Sequence, residues 1–248
     1  MKRNAFPVFA ALAVFSILCV LPATAQNKAP DQKPGEVVYI AYPVAIAIDG
    51  KFDDWAGIPN QKFDTGTKKS PISTQSRVMD FAVAADETNL YVYMHSVDAK
   101  IIAGKHGKDY YNEDSMEFFF NLSGNLATKQ YLPGIFQICV SALNIGKPAS
   151  AEMAIFGTQS TTVKVVGQAV KTADGWAFEA AVPLGKLKPE HGLTIGFQAQ
   201  GNGTSSVDRD AKLIWSKADK NDASWQDPSV FGKAVFFKVG STDVPPAK

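Results

Sequence analysis

Cysteine is nearly missing from this chain. Cys19 and Cys139 are the only two in 248 residues, so a disulfide framework is excluded. Histidine is almost as scarce: His95, His106 and His191 lack the paired spacing of a zinc protease and have no cysteine partners for a zinc site. His106 and His191 sit in glycine-containing turns and read as solvated. There is no Gly-x-Ser-x-Gly elbow, no phosphate loop and no dinucleotide fingerprint. Charge of one sign is lacking too, since 25 Lys+Arg stand against 24 Asp+Glu for a net +1. Without a basic block to neutralise a phosphate backbone, nucleic acid is excluded as a partner. What remains is 46% hydrophobic and 20% charged residues with 19 Gly and 14 Pro, the composition of a chain that folds around a core.

One long apolar run is present, at the start. Lys2 and Arg3 precede Phe6 to Leu21, and Ala23-Thr24-Ala25 follows with small residues where a signal peptidase reads. The run is short for a bilayer core of about 30 Å and ends at Pro22, so residues 1–25 read as a secretory signal rather than an anchor. The expectation is export to the periplasm or the medium, with no membrane span after signal removal. Cys139 then stands alone within Ile135-Phe136-Gln137-Ile138-Cys139-Val140, where it reads as a small buried hydrophobe.

Residues 26–38 are polar and proline-containing and read as a flexible leader; residues 241–248 read as a polar tail. Between them, over 39–240, short β-branched and aromatic runs alternate with Gly, Asn, Asp and Pro clusters, and no helical period is sustained. Strands are expected at 36–48, 76–84, 89–97, 114–121, 134–143, 160–171, 175–182, 193–200, 211–215 and 233–239. Trp176, Phe178, Ala180 and Val182 alternate with Ala177, Glu179 and Ala181, the mark of a strand with one face on a core. The fold class is all-β: a two-sheet antiparallel β-sandwich of jelly-roll type, in one domain.

Five segments occur in a distinctive order: Ile48-Asp49-Gly50-Lys51-Phe52-Asp53-Asp54-Trp55, Asp86-Glu87-Thr88-Asn89-Leu90-Tyr91-Val92-Tyr93, Asn112-Glu113-Asp114-Ser115-Met116-Glu117-Phe118-Phe119, Asp174-Gly175-Trp176-Ala177-Phe178-Glu179-Ala180-Ala181-Val182-Pro183 and Asp227-Pro228-Ser229-Val230-Phe231-Gly232. This series resembles the carbohydrate-binding module family 9 domain, a β-sandwich of the wider DOMON-like group, over roughly residues 40 to 239. The resemblance implies a non-catalytic domain that binds a polysaccharide or sugar chain end and serves carbohydrate catabolism.

Family members that hold chain ends place the sugar ring between two aromatic side chains. The matching positions here are Tyr110 or Tyr111, just before the Asp-Ser-x-Glu strand, and Trp225, in the loop before the last strand. The first is a tyrosine where other members carry tryptophan. Sugars pack their C–H faces on aromatic rings while their hydroxyls need fixed polar partners. Glu117, Gln137 and Asn221 are candidate partners. If Met116, Phe118 and Phe120 face the core, Glu117 and Phe119 face away, and Glu117 is either solvated or a sugar acceptor. Gln137, Gln198 and Gln200 sit on otherwise apolar strands and point to a polar sheet face. Arg77 and Lys105 are candidate donors that read equally as solvated surface. Trp55 reads as a plug at one end of the core, and Trp176 as part of the core itself.

Further readings stay open. The family often carries structural calcium, and Asp208, Asp210, Asp219 and Asp222, with Asn221, supply oxygen ligands in long loops, although ordinary solvation also accounts for them. Some DOMON-like relatives hold haem b through Met, His or Lys, for which Met94, His95 and Met116 are the candidates. A structural or adhesive sandwich without a sugar site is a third reading, and action on glycosidic bonds by two of the many carboxylates ranks last. Asn121-Leu122-Ser123 and Asn202-Gly203-Thr204 are glycosylation sequons.

Overall fold

The computed structural model describes residues 30, 32–63, 78–147, 151–158 and 162–248. The expected signal segment and Arg77 lie outside the described residues. Twelve strands are present among them: β1 (Val37–Tyr42), β2 (Gln61–Phe63), β3 (Met79–Ala85), β4 (Asn89–Val97), β5 (Ser115–Asn121), β6 (Ile135–Ser141), β7 (Glu152–Gly157), β8 (Val166–Lys171), β9 (Gly175–Pro183), β10 (Thr194–Gly203), β11 (Ala211–Ile214) and β12 (Gly232–Lys238). They join in the order β7, β6, β5, β10, β12, β1, β3, β4, β9, β8, with β11 added to β10 and β2 to β3.

This continuous sheet curls over on itself, and its two halves face each other through a phenylalanine-rich interior. Phe118 on β5 meets Phe178 on β9 with ring centroids 6.1 Å apart, and Phe81 on β3 meets Phe197 on β10 at 5.5 Å. Such tilted contacts fill the space between sheets at the density of a protein core. The architecture is the expected β-sandwich, with one departure from antiparallel pairing. β1 runs parallel to both β12 and β3. The first strand closes the seam between the two halves, so its neighbours come from distant chain segments through long connections, which parallel pairing requires.

Strand alternation decides which side chains reach that interior. Met116, Phe118 and Phe120 lie in the main core, as do Trp176, Phe178, Ala180 and Val182. Cys139 is fully buried and unpaired. Two strands escape the sequence reading. β7 is half-exposed along most of its length, and β2 has three residues, too few to display a period. The strand expected over 36–48 stops at Tyr42, before Pro43, and that expected over 160–171 begins at Val166.

The ends also differ from expectation. The sandwich begins at Val37, inside the expected leader, and Gln32 already accepts a hydrogen bond from the Tyr39 amide at 2.7 Å. The tail folds back: Tyr39 donates to the Pro245 carbonyl at 3.2 Å, His191 meets Asp243 at 3.1 Å, and Ala247 packs on Val37, Tyr39, Val235 and Phe237. The apolar outer face of β1 and β12 gives this segment something to cover.

Trp55 is buried, but not at an end of the main core. It sits with Ile46, Ile58, Ala82, Ala84 and Tyr91 on the outer face of β3 and β4. Its indole donates to Glu179 Oε2 at 3.0 Å, while Glu179 Oε1 accepts the amides of Asp49 and Gly50. Gly50 has φ +77°, and a Cβ there would lie 2.5 Å from Gln168 Nε2, so this turn accepts only glycine without rearrangement.

Candidate functional site

The opposite outer face, formed by β5, β6, β7, β10 and β11, carries an open cavity of about 450 Å³. Tyr111, Glu117, Gln137, Phe156, Arg209, Lys212, Asp222 and Trp225 line it. Volume alone does not single it out: a hollow of about 740 Å³ around Asn125, His191 and Lys233 is larger. That hollow has no Tyr, Trp or Phe in its lining, whereas this one combines rings with charged and amide groups, the mixture a ligand site requires.

Glu117 is the centre of the floor. Because Met116 and Phe118 take the core, Glu117 projects to this face, yet it is only 2% exposed. Its Oε1 accepts from Lys212 Nζ at 2.6 Å and from Asn202 Nδ2, and its Oε2 accepts from Gln137 Nε2 at 2.6 Å. Burial by itself would raise its pKa, but the Lys212 charge, with hydrogen bonds from Lys212 and Asn202, holds it below the usual carboxylate range. Glu117 is therefore not a solvated surface acid: it is an ionised group held in a hydrogen-bonded network, with acceptor capacity left on Oε2. Lys212 is itself 2% exposed and also approaches Asp222 Oδ1 at 3.6 Å. Arg209 donates to Asn202 Oδ1 at 3.0 Å and approaches Asp222 at 3.7 Å. Two cations and two anions thus share the floor, leaving its formal charge balanced.

The rim is aromatic. Tyr111 is 38% and Trp225 61% exposed, and each ring is held out by its neighbours. In the short 3-10 turn Tyr110–Asn112, Tyr110 is the residue drawn inward: it is 1% exposed, donates to Glu152 Oε1 at 2.6 Å and accepts from Lys108 Nζ at 2.8 Å. With Tyr110 turned in, its neighbour Tyr111 faces out. Glu113 completes this anchor by accepting the amides of Gly104 and Lys105 at 2.8 Å each. The Trp225 loop is pinned by Asp219, whose Oδ1 accepts the Ala223 amide and whose Oδ2 accepts from the Ser224 amide and hydroxyl and from Gln200 Nε2. Tyr131 donates to the Ser224 carbonyl at 2.6 Å, fixing the loop from the other side.

Of the sequence candidates, Tyr111, Glu117, Gln137 and Trp225 come together at this cavity. Tyr110 does not, because its hydroxyl is spent on Glu152 inside the turn. Asn221 is exposed beside the cleft and absent from its lining. Sequence reasoning missed Lys212, Arg209 and Phe156. A signal for Lys212 existed in Ala211-Lys212-Leu213-Ile214, a single charge in a strand that is otherwise apolar. Nothing in the sequence paired it with Glu117, 95 residues away.

The calcium candidates do not converge. Asp219 spends both oxygens on the Trp225 loop, Asp210 accepts from Ser205, Asp208 meets His106 Nε2 at 2.9 Å, and Asp222 sits against two cations. Among the described residues no group of three or more His, Cys, Asp or Glu could hold a metal ion. The haem candidates part as well. Met94 and Met116 are packed in the core, while His95 turns to the outer face between Asp80 at 3.2 Å and Asp174 at 3.0 Å. His106 and His191, expected to be solvated, are tied to Asp208 and Asp243. Both sequon asparagines are buried, Asn121 at 0% and Asn202 at 1%, so the folded domain presents neither to a glycan transferase.

The family model of the carbohydrate family 9 binding domain-like group matches residues 48–238, most of the chain. The chain belongs to carbohydrate-binding family 9. Two solved structures of a family 9 module from Caldicellulosiruptor kristjanssonii share this domain's fold. The one in complex with cellotriose has a TM-score of 0.66 at 22% identity, covering 86% of this chain and 100% of that one. The one in complex with glucose has 0.65 at 23% identity, covering 85% and 100%. Endo-1,4-beta-xylanase A of Thermotoga neapolitana is 28% identical over 194 residues, 77% of this chain and 17% of the xylanase. That of Thermoanaerobacterium saccharolyticum is 28% identical over 205 residues, 82% of this chain and 16% of the xylanase. The family 9 domain thus spans about a sixth of the length of these relatives. No helix among the described residues is long and apolar enough to cross a membrane.

Proposed function

We propose that this family 9 domain is an exported, non-catalytic module that captures the end of a neutral polysaccharide, holding its terminal pyranose between Tyr111 and Trp225 over the Glu117, Gln137 and Lys212 floor. The observation that carries the reading is the pairing of two exposed rings with a buried, hydrogen-bonded polar floor in one cavity. Rings supply flat apolar contact to sugar C–H faces, and the floor's remaining N–H and amide groups meet hydroxyls. Balanced charge on that floor favours a neutral sugar over an acidic one.

Cellotriose and glucose in the related module are the chemistry carried over to this chain. The hydrolytic activity of the xylanases belongs to proteins several times longer. The basic, apolar and small-residue stretches of residues 1–25 support export, and a role in polysaccharide breakdown follows from the company that xylanase relatives keep.

Calorimetric titration with glucose, cellotriose, xylose and xylotriose, with pull-down on insoluble cellulose and xylan, tests the reading. Binding of at least one sugar is expected, and Trp225→Ala should weaken it about thirtyfold, equivalent to about 2 kcal/mol for the loss of an aromatic hot spot. Wild-type protein that binds none of these ligands, or a Trp225→Ala variant with unchanged affinity, overturns it.

A further inference from the structure

The cleft contains a third ring that the sugar-end reading does not use. Phe156 lies on β7, an edge strand of the sheet, and is 39% exposed. Its direction follows from strand period: Met153 and Ile155 pack against the main core, so Phe156 turns to the cleft face. Register places it opposite Gln137, which in turn lies opposite Phe119. The side chain of Gln137 is tied to Glu117. Phe156 therefore stands one strand beyond the Glu117 and Gln137 floor, at the open margin of the cavity that Tyr111 and Trp225 border. Edge strands are ordinarily protected by charge or proline, and a large apolar ring left to solvent there marks a contact surface. The cavity of about 450 Å³ also offers more room than one pyranose fills.

We propose that Phe156 forms a second sugar subsite, so that the cleft takes a chain of at least two pyranose units, leading from the Tyr111 and Trp225 rings across Gln137 and out over the edge of β7. This inference rests on the sugar-end reading of those two rings. A phenylalanine has no hydrogen-bonding group, so the subsite contributes apolar contact alone. It rewards the presence of a second ring rather than a particular pattern of hydroxyls. Specificity for the sugar then resides in the first subsite and preference for chain length in the second.

The test is a titration of wild type, Phe156→Ala and Phe156→Tyr with glucose and cellotriose, and with xylose and xylotriose as a second pair. Phe156→Ala should weaken trisaccharide binding about tenfold, equal to about 1.4 kcal/mol, and monosaccharide binding by less than about twofold. Phe156→Tyr, which keeps the ring, should retain trisaccharide affinity. The ratio of trisaccharide to monosaccharide affinity within each variant is independent of how much of the variant is folded. An unchanged ratio in Phe156→Ala overturns the subsite while leaving the Tyr111 and Trp225 site standing. Wild-type protein that binds none of the four sugars removes the first site and the second with it.

Discussion

Two outer faces of this sandwich carry the same three ingredients in opposite arrangements. On the β3, β4 and β9 side, Trp55 and Tyr93 stand 5.6 Å apart between ring centroids beside Glu179. On the β5, β6 and β10 side, Trp225 and Tyr111 accompany Glu117. In the first, the carboxylate binds the indole N–H and two amides of the preceding loop, which seals the tryptophan under that loop. In the second, the carboxylate binds a lysine and two side-chain amides within the sheet, leaving the indole free at the rim. Trp55 is thus a plug because Glu179 takes its indole N–H as well as two amides of its loop, whereas Asp219 takes loop amides beside Trp225 and leaves that ring at the rim. What decides is where the hydrogen bonds go.

The most severe way to break this contrast is to unpair the floor. Lys212→Met leaves Glu117 buried without its counter-charge and should cost about 3–5 kcal/mol of stability by chemical denaturation. Adding Glu117→Gln to that variant should restore part of the loss. A cost under about 1 kcal/mol would mean that Glu117 is in contact with water and that the two faces differ less than their geometry implies.

Trp55→Phe sharpens the contrast from the other side. Deleting the indole donor beside Glu179 should cost about 1–3 kcal/mol of stability while leaving sugar affinity unchanged. Trp225→Ala should do the reverse, shifting stability by no more than about 0.5 kcal/mol while abolishing most binding. If the two variants affected both properties alike, the distinction between plug and rim would fail.

The smallest effect is a pH dependence to which His95 on the closed face contributes. The hydrogen bond to Asp80 raises the His95 pKa, burial opposes it, and Asp174 adds to the rise. A raised folded-state value stabilises the protonated form, so this contribution is complete below the unfolded value of about 6.5 and fades as pH climbs through the higher folded value. Thermal midpoints should fall modestly with pH above about 6.5, and His95→Asn should reduce that slope without altering sugar affinity, His106 beside Asp208 keeping a share of it. An undiminished slope in His95→Asn would assign it wholly to another group.

Much of this arrangement is legible in the residues themselves. Alternation in Ser115–Asn121 separates Phe118 from Glu117, and the apolar setting of Cys139 marks it as buried. Other features are out of reach for identifiable reasons. β7 shows no clean period because its edge leaves both faces partly wet, so nothing in its letters singles out Phe156. Acids gathered in the loops on either side of β11, from Asp208 to Asp222, resemble metal ligands, yet Asp219 is occupied by Ser224 and Gln200, and Asp222 by cations. Tyr110 and Tyr111 are indistinguishable as letters, and the choice between them is made by Glu152, which lies on β7.

Local sequence suffices for the β-rich class and, through ordered short motifs, for the family, because strand period and turn chemistry are properties that neighbouring residues carry in full. Which acid anchors a plug and which floors a cleft, which tyrosine meets solvent, and that Lys212 and Glu117 form a buried ion pair are settled by tertiary packing alone. Those outcomes depend on curling a single sheet until strands remote in sequence lie side by side, and the fate of a buried charge rests on whatever that curling places within reach.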